Sequence, residues 1–203
     1  MGDPVLAPLP KGRHQLSRQE VQDAQRIRLA VGMAEEMAES GYVGTPVAAV
    51  LKRAGVSRQT FYELYDDKHA CFLDALDLVG AVLLADLRAE TAPGDPLDRA
   101  RTAVDAYLDT IVRHRAFARL FLVEVHAAGE EAMARRAALQ DEVVDGLADL
   151  LGAVEPDAGF ACRAYVAAIA SLVTLPVVTG DEGALDALRA PLLGLLEDLA
   201  ERI

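Results

Sequence analysis

The chain of 203 residues has no tryptophan, two cysteines and only 5% aromatic residues. β-branched residues rarely alternate with polar ones, which argues against a sandwich or barrel, whose strands need that two-residue period. Cys71 and Cys162 stand singly in apolar stretches, without CxxC or other metal-type spacing. They read as free, buried thiols of a cytoplasmic protein, so no disulfide, metal or cofactor is expected. No apolar run reaches the roughly 18–20 residues that span a bilayer. The opening MGDPVLAPLPKGRHQL has no basic leader before an apolar stretch, so neither a membrane partner nor export is expected. Catalytic signatures are missing too. There is no GxSxG, no phosphate-cradling glycine loop, no HExxH and no nucleophile–base pair, so the chain is not expected to be an enzyme.

An excess of positive charge is the next absence. The formal net charge is −12, which at first excludes a polyanionic partner. Its distribution reverses that reading. Residues 1–70 hold nine Lys/Arg and nine Asp/Glu, leaving eleven against twenty-three for residues 71–203. The first third is neutral and can carry a local basic face, and phosphates respond to the nearby potential.

What is present is alanine, leucine and helical spacing, with 52% of the chain hydrophobic. The expected fold is all-α. Residues 1–16, with three prolines, form an expected flexible arm bearing Lys11, Arg13 and His14, which could reach a minor groove. Ser17 and Glu20 have capping-box spacing and open a helix over about 18–39, ended by Gly41. Thr45-Pro46 reads as a cap plus first-turn proline for a second helix to about Ala54. Gly55 stops it, Ser57 caps a third over about 58–64, and Asp67 caps a fourth. Two helices this short cannot stand alone. Their expected seam is Leu51, Ala54, Val56, Phe61 and Leu64, and together they make a helix-turn-helix.

The stretch GYVGTPVAAVLKRAGVSRQTFYELYDDKHACF, residues 41–72, resembles the DNA-binding segment of the tetracycline-repressor (TetR) family of bacterial transcription regulators. The matching residues are Gly41-Tyr42, Thr45, Ala54-Gly55-Val56-Ser57, Thr60, Tyr62, the aromatic Tyr65, Lys68 and Phe72. Leu51 and Gln59 depart from the usual small residues. The resemblance implies an N-terminal three-helix DNA-binding domain over 17–66. A larger helical ligand-binding and dimerisation domain over 67–203 follows, with about nine helices in all. It also implies phosphate contacts for Thr45, Tyr62 and Lys68.

A helix fits the major groove and reads base edges from its N-terminal turn. Arg58 can fork onto guanine and Gln59 onto adenine. Thr60 offers a methyl and a hydroxyl, Tyr65 a second phenol for the flanking backbone, and Ser57 completes the expected DNA-binding set. The rest of the chain is expected to form helices over 67–91, 95–113, 115–126, 129–154, 157–179 and 182–202. Breaks are expected at Pro93-Gly94, Gly129, Pro156 and Gly180, with a kink or restart at Pro191. By resemblance the last two helices dimerise, through Ala161, Ala164, Ala168, Leu172, Leu175, Leu188, Leu192, Leu195 and Leu199. By resemblance too, the middle helices hold a small effector, with Tyr107, His114, Phe117, Phe121, His126, Met133 and Tyr165 as candidate lining. The expected function is a regulator, repressing as a homodimer on a pseudo-palindromic operator of double-stranded DNA and released by an unidentified small molecule. The alternative is a helical protein-interaction module that uses neither DNA nor ligand.

Overall fold

Ser17 does what its spacing implies. Its hydroxyl accepts from Glu20 N, and the Glu20 carboxylate accepts from Ser17 N at 2.7 Å, closing a reciprocal cap. The computed structural model describes residues 17–89 and 94–203, the side chains of 85–89 apart. The expected arm with Lys11, Arg13 and His14, and Pro93 of the expected break, lie outside the described residues. All regular structure among those described is helical.

Helix α1 (Arg18–Gly44) buries Leu29, Ala30, Met33, Ala34 and Met37 along one face. It loses helical geometry at Gly41, whose φ of 68° suits glycine, so the chain turns there and winds once more before Thr45. Helix α2 (Val47–Ala54) and helix α3 (Arg58–Leu64) follow. One expected detail is corrected. Pro46 itself occupies the cap of α2, and the Thr45 hydroxyl donates back to Gly41 O at 2.8 Å instead of capping forward. Gly55 ends α2 in the left-handed conformation with φ 61°. The expected seam forms: Leu51, Ala54, Val56 and Phe61 are buried and Leu64 packs partly buried against them.

Close approach of α1 and α2 depends on Gly32. A Cβ built there would stand 3.0 Å from the backbone N of Ala54. Gly32→Val is therefore expected to push α2 off α1 and lower the thermal unfolding midpoint. Gly146, in a later helix, has nothing within 4 Å of such a Cβ. Gly146→Ala should raise stability by about 0.5–1 kcal/mol, read from denaturant midpoints, because alanine loses less backbone freedom. Equal midpoint shifts for the two variants would show that the helix approach does not matter.

Helix α4 (Lys68–Ala89) starts from Asp67, whose carboxylate accepts from Ala70 N at 2.8 Å. It packs on α1 and joins the first three helices to the larger layer of helices. Beyond it come α5 (Pro96–Arg113) and α6 (Arg115–Arg119). A π-helical turn (Leu120–Glu124) and α7 (Val125–Ala128) continue α6 without a break in the chain's helical path. Helices α8 (Glu130–Leu151), α9 (Pro156–Thr179) and α10 (Glu182–Ala200) complete the fold. With 115–128 counted as one rod, the described residues form nine helices. Pro191 lies inside α10, which runs from Glu182 to Ala200 without the expected restart.

Cys71 and Cys162 are both buried and unpaired. Burial first, and then the Asp74 carboxylate, push the Cys71 thiol up to about 12. Helix α9 is long and apolar enough to cross a membrane by length and composition. No uninterrupted apolar run announced this, because Arg163 divides it. In the fold its inner face is core, with Cys162, Tyr165, Ile169, Val173 and Val177 buried.

Candidate nucleic-acid interface and internal cavity

Helix α3 is short because its ends are fixed by side chains and turns. Ser57 Oγ accepts from Thr60 N at 3.0 Å, and the Tyr65 N–H closes the far end onto Phe61 O at 2.8 Å. Phe61, fully buried, anchors the inner face. That leaves Arg58, Gln59 and Tyr62 pointing outward, Tyr62 with half its surface exposed. Thr60 is partly buried, and its hydroxyl shares a 2.9 Å hydrogen bond with that of Ser57. Gln59 donates to Glu63 at 2.8 Å, a solvent-facing pairing that orients its amide along the helix.

The other expected DNA contacts have inward duties. Thr45 is buried, with its hydroxyl spent on Gly41 O. Tyr65 is corrected from a flanking-backbone contact to a core residue: it is 7% exposed and its hydroxyl donates to Asp74. Burial first, and then that carboxylate, raise the Tyr65 pKa well beyond the usual phenol range. Lys68 places its ammonium 4.3 Å from the centre of the Tyr42 ring and donates to Tyr42 O at 2.7 Å and Thr45 O at 3.1 Å. One of its three protons remains for an outside partner, and desolvation draws its pKa below the ordinary lysine value.

Two residues that hold these helices in place have no motif. Arg28 donates to Ala54 O through Nε at 2.9 Å and also reaches Gly55 O, supplying the cationic cap that the end of α2 requires. Glu124, only 5% exposed, ends the π-turn and accepts from Tyr42 N at 2.7 Å and Arg119 Nε at 3.1 Å. Tyr42 is thereby held on every side. Its carbonyl is taken by Lys68, its ring meets Phe72 edge-on at 5.1 Å, and its hydroxyl lies 3.4 Å from His69 Nδ1. Such long-range pairings leave no periodic trace in sequence.

An apolar cavity of about 490 Å3 opens among α4, α5, α8 and α9. A smaller space of about 50 Å3 lies beside it, towards α6. Tyr107 and Phe121 border both, Tyr165 borders the larger, and His114 and Phe117 the smaller. Tyr165 brings only its ring, since its hydroxyl donates to Leu192 O at 2.9 Å. His126 and Met133 are corrected: both face solvent, Met133 with 46% exposure, and neither borders a cavity. Arg99 is a wall residue that the sequence did not single out, and Arg136 stacks over the Phe121 ring at 5.5 Å.

The expected dimer set divides by face. Leu175 is 68% and Leu172 48% exposed, and Ala164 and Leu195 are exposed with them. Phe160 and Val178 extend the same exposed apolar character along α9. Ala161, Ala168 and Leu188 are half-buried. Leu192 and Leu199 are corrected to the protomer's own core, where α10 packs on α5 and α9.

A short helix projecting from a capped glycine turn, carried on a larger helical layer, is the architecture of helix-turn-helix regulators. Residues 32–75 match the family described as "Bacterial regulatory proteins, tetR family". Solved structures share most of the fold, three of them as follows. The fatty acid degradation regulator FadR of Bacillus halodurans aligns with TM-score 0.75 and 17% identity, over 85% of this chain and 94% of its own. A TetR-like transcriptional regulator of Rhodococcus sp. RHA1 gives 0.66 and 20%, over 93% and 97%. FadR of Bacillus subtilis, in complex with stearoyl-CoA, gives 0.69 and 16%, over 84% and 96%. Among curated protein sequences none matches. Residues 32–75 thus carry the segment that defines the tetR family, and the chain as a whole shares the fold of solved TetR-like regulators.

Proposed function

We propose that this chain is a cytoplasmic, sequence-specific DNA-binding repressor. It acts as a homodimer on a pseudo-palindromic operator and is released by a small molecule bound in the helical layer. The observation that carries the reading is the outward face of α3. Arg58 is exposed with no carboxylate partner among the described residues, whereas its neighbour Arg53 is spent on Glu36 and Glu39. A bare guanidinium on the first turn of a projecting helix suits guanine O6 and N7. Gln59, Thr60 and Tyr62 complete the DNA-facing surface with the free proton of Lys68, and Ser57 positions them. Thr45 and Tyr65 support it from inside. A protein-interaction module would have no use for that pattern. Selection of bound fragments from random duplexes tests the reading: a two-fold motif with half-sites one helical turn apart is expected. Recovery of unselected sequence would overturn it.

Release operates as a population shift: a ligand acts only through its differential affinity for two arrangements. Phe121 borders the cavity and Glu124 stands three residues later in the same π-turn, bonded to Tyr42. A π-turn carries one residue more than an α-turn and can relax by sliding its register. A ligand displacing Phe121 would therefore move the Glu124 carboxylate, and with it the α1–α2 hinge at Gly41. Glu124→Ala leaves the Tyr42 N–H and Arg119 without their partner. It is expected to cost about 1–3 kcal/mol of stability and to weaken operator binding about tenfold, measured by denaturant unfolding and gel-shift titration. Lost stability with unchanged operator affinity would remove Glu124 from the coupling route.

A further inference from the structure

The cavity has a charge pattern that its surroundings do not explain. Beyond residue 70, acids outnumber bases twenty-three to eleven, so carboxylate partners are plentiful for an arginine there. Arg101, Arg119, Arg135, Arg163 and Arg189 each take one. Among the described residues Arg99, Arg115, Arg136 and Arg202 take none, but Arg115 donates to Val177 O and Arg202 is exposed, whereas Arg99 and Arg136 each bury Nε with no hydrogen-bond partner. One of them lines the cavity and the other stands behind a wall residue. Arg99 is on its wall, and Arg136 lies on the face of Phe121, another wall residue. Desolvation pulls the Arg136 pKa below the usual guanidinium value. A buried, unsatisfied donor is costly to the folded chain, and a ligand acceptor is the natural remedy.

The geometry points to an anionic amphiphile as the ligand: an apolar chain along α5 and α9, with its acidic head neutralised by Arg99 and drawn further by Arg136. The apolar body meets Val104, Tyr107, Leu139 and Ile169. Arg99 and Tyr107 are eight residues apart on α5, which sets about 12 Å of wall between the outer arginine and the ring near Arg136. Two carboxylates, Glu142 and Asp149, also border the cavity, but both residues are exposed to water. Their charge is screened there, whereas the buried Nε atoms are not. Carboxylate and phosphate heads share the chemistry the arginines recognise, planar guanidinium against paired oxygens.

This inference rests on the cavity being the effector site, and its test needs no DNA, so its failure would leave the DNA-binding reading intact. Titration calorimetry on the full chain compares dodecanoate, dodecyl phosphate, dodecanol and dodecyltrimethylammonium, each below its aggregation concentration. Either anion should bind at least about tenfold more tightly than the alcohol, and the tighter of the two identifies the head group. Arg99→Gln should reduce that preference about tenfold while sparing the alcohol. Arg136→Gln should act in the same direction and serves as the second variant should Arg99→Gln not fold. Equal binding of acid and alcohol, cation binding as tight as the acid's, no binding by any probe, or an anion preference untouched by both substitutions would each overturn it.

Discussion

Replacing Leu172 and Leu175 together by glutamate should yield a folded monomer that no longer holds operator DNA. Both side chains are largely exposed in the protomer, so the charges meet water in the isolated chain and its core is untouched. In a two-fold pair each substitution counts twice. Four leucines would then lose their burial, at about 1.5–3 kcal/mol each, and glutamates would have to be dehydrated in their place. The loss is on the order of 6 kcal/mol or more, at least about 10^4-fold in the dimer dissociation constant. Operator affinity falls with it, because a single reading head lacks the second half-site's contacts. Sedimentation equilibrium and gel-shift titration measure the two effects. A variant that stays dimeric would show that the exposed face of α9 is not the interface. A monomer that binds operator at full strength would remove dimerisation from the mechanism.

Locally determined features were legible in the sequence. The Ser17–Glu20 box, the stop at Gly55, the Ser57 cap and the Asp67 cap each involve residues within a few positions of one another, and each forms as read. The inward face of α1 and the Phe61 anchor follow from helical period and hydrophobicity alone. Harder to read was anything set by a distant neighbour. Helix α10 has leucines on more than one face, and periodicity does not say which face meets the protomer and which a partner. Leu192 and Leu199 therefore looked like interface while serving as core. A polar tip cannot report its own burial, so Tyr65 resembled a phosphate contact although Asp74 takes its hydroxyl. The π-turn is invisible because an added residue in a helix leaves ordinary composition behind. The Arg28 cap spans 26 positions and the Glu124–Tyr42 bond 82. Both are properties of packing, which a linear pattern does not encode.

Arg58→Ala should remove sequence preference where loss of a phosphate contact would only weaken binding. A bidentate guanidinium–guanine pair discriminates by about 1–3 kcal/mol, and a two-fold dimer makes it twice. The expected fall in operator affinity is about 30- to 10^4-fold, with affinity for unrelated duplex nearly unchanged. Stability should hold, because Arg58 is exposed and forms no ion pair among the described residues. Arg58→Lys separates shape from charge. Lysine keeps the cation but cannot present the planar fork, so it should retain the salt dependence of binding while losing most of the discrimination. Lys68→Ala supplies the opposite case. It should weaken every duplex alike and flatten the salt slope through loss of its remaining proton, and it should also loosen the Tyr42–Thr45 turn that its other two protons hold. Titrations of operator and scrambled duplex at two salt concentrations distinguish the three variants. If Arg58→Ala lowers affinity for both duplexes by the same factor, Arg58 is a phosphate contact and the reading of bases passes to Gln59 and its neighbours.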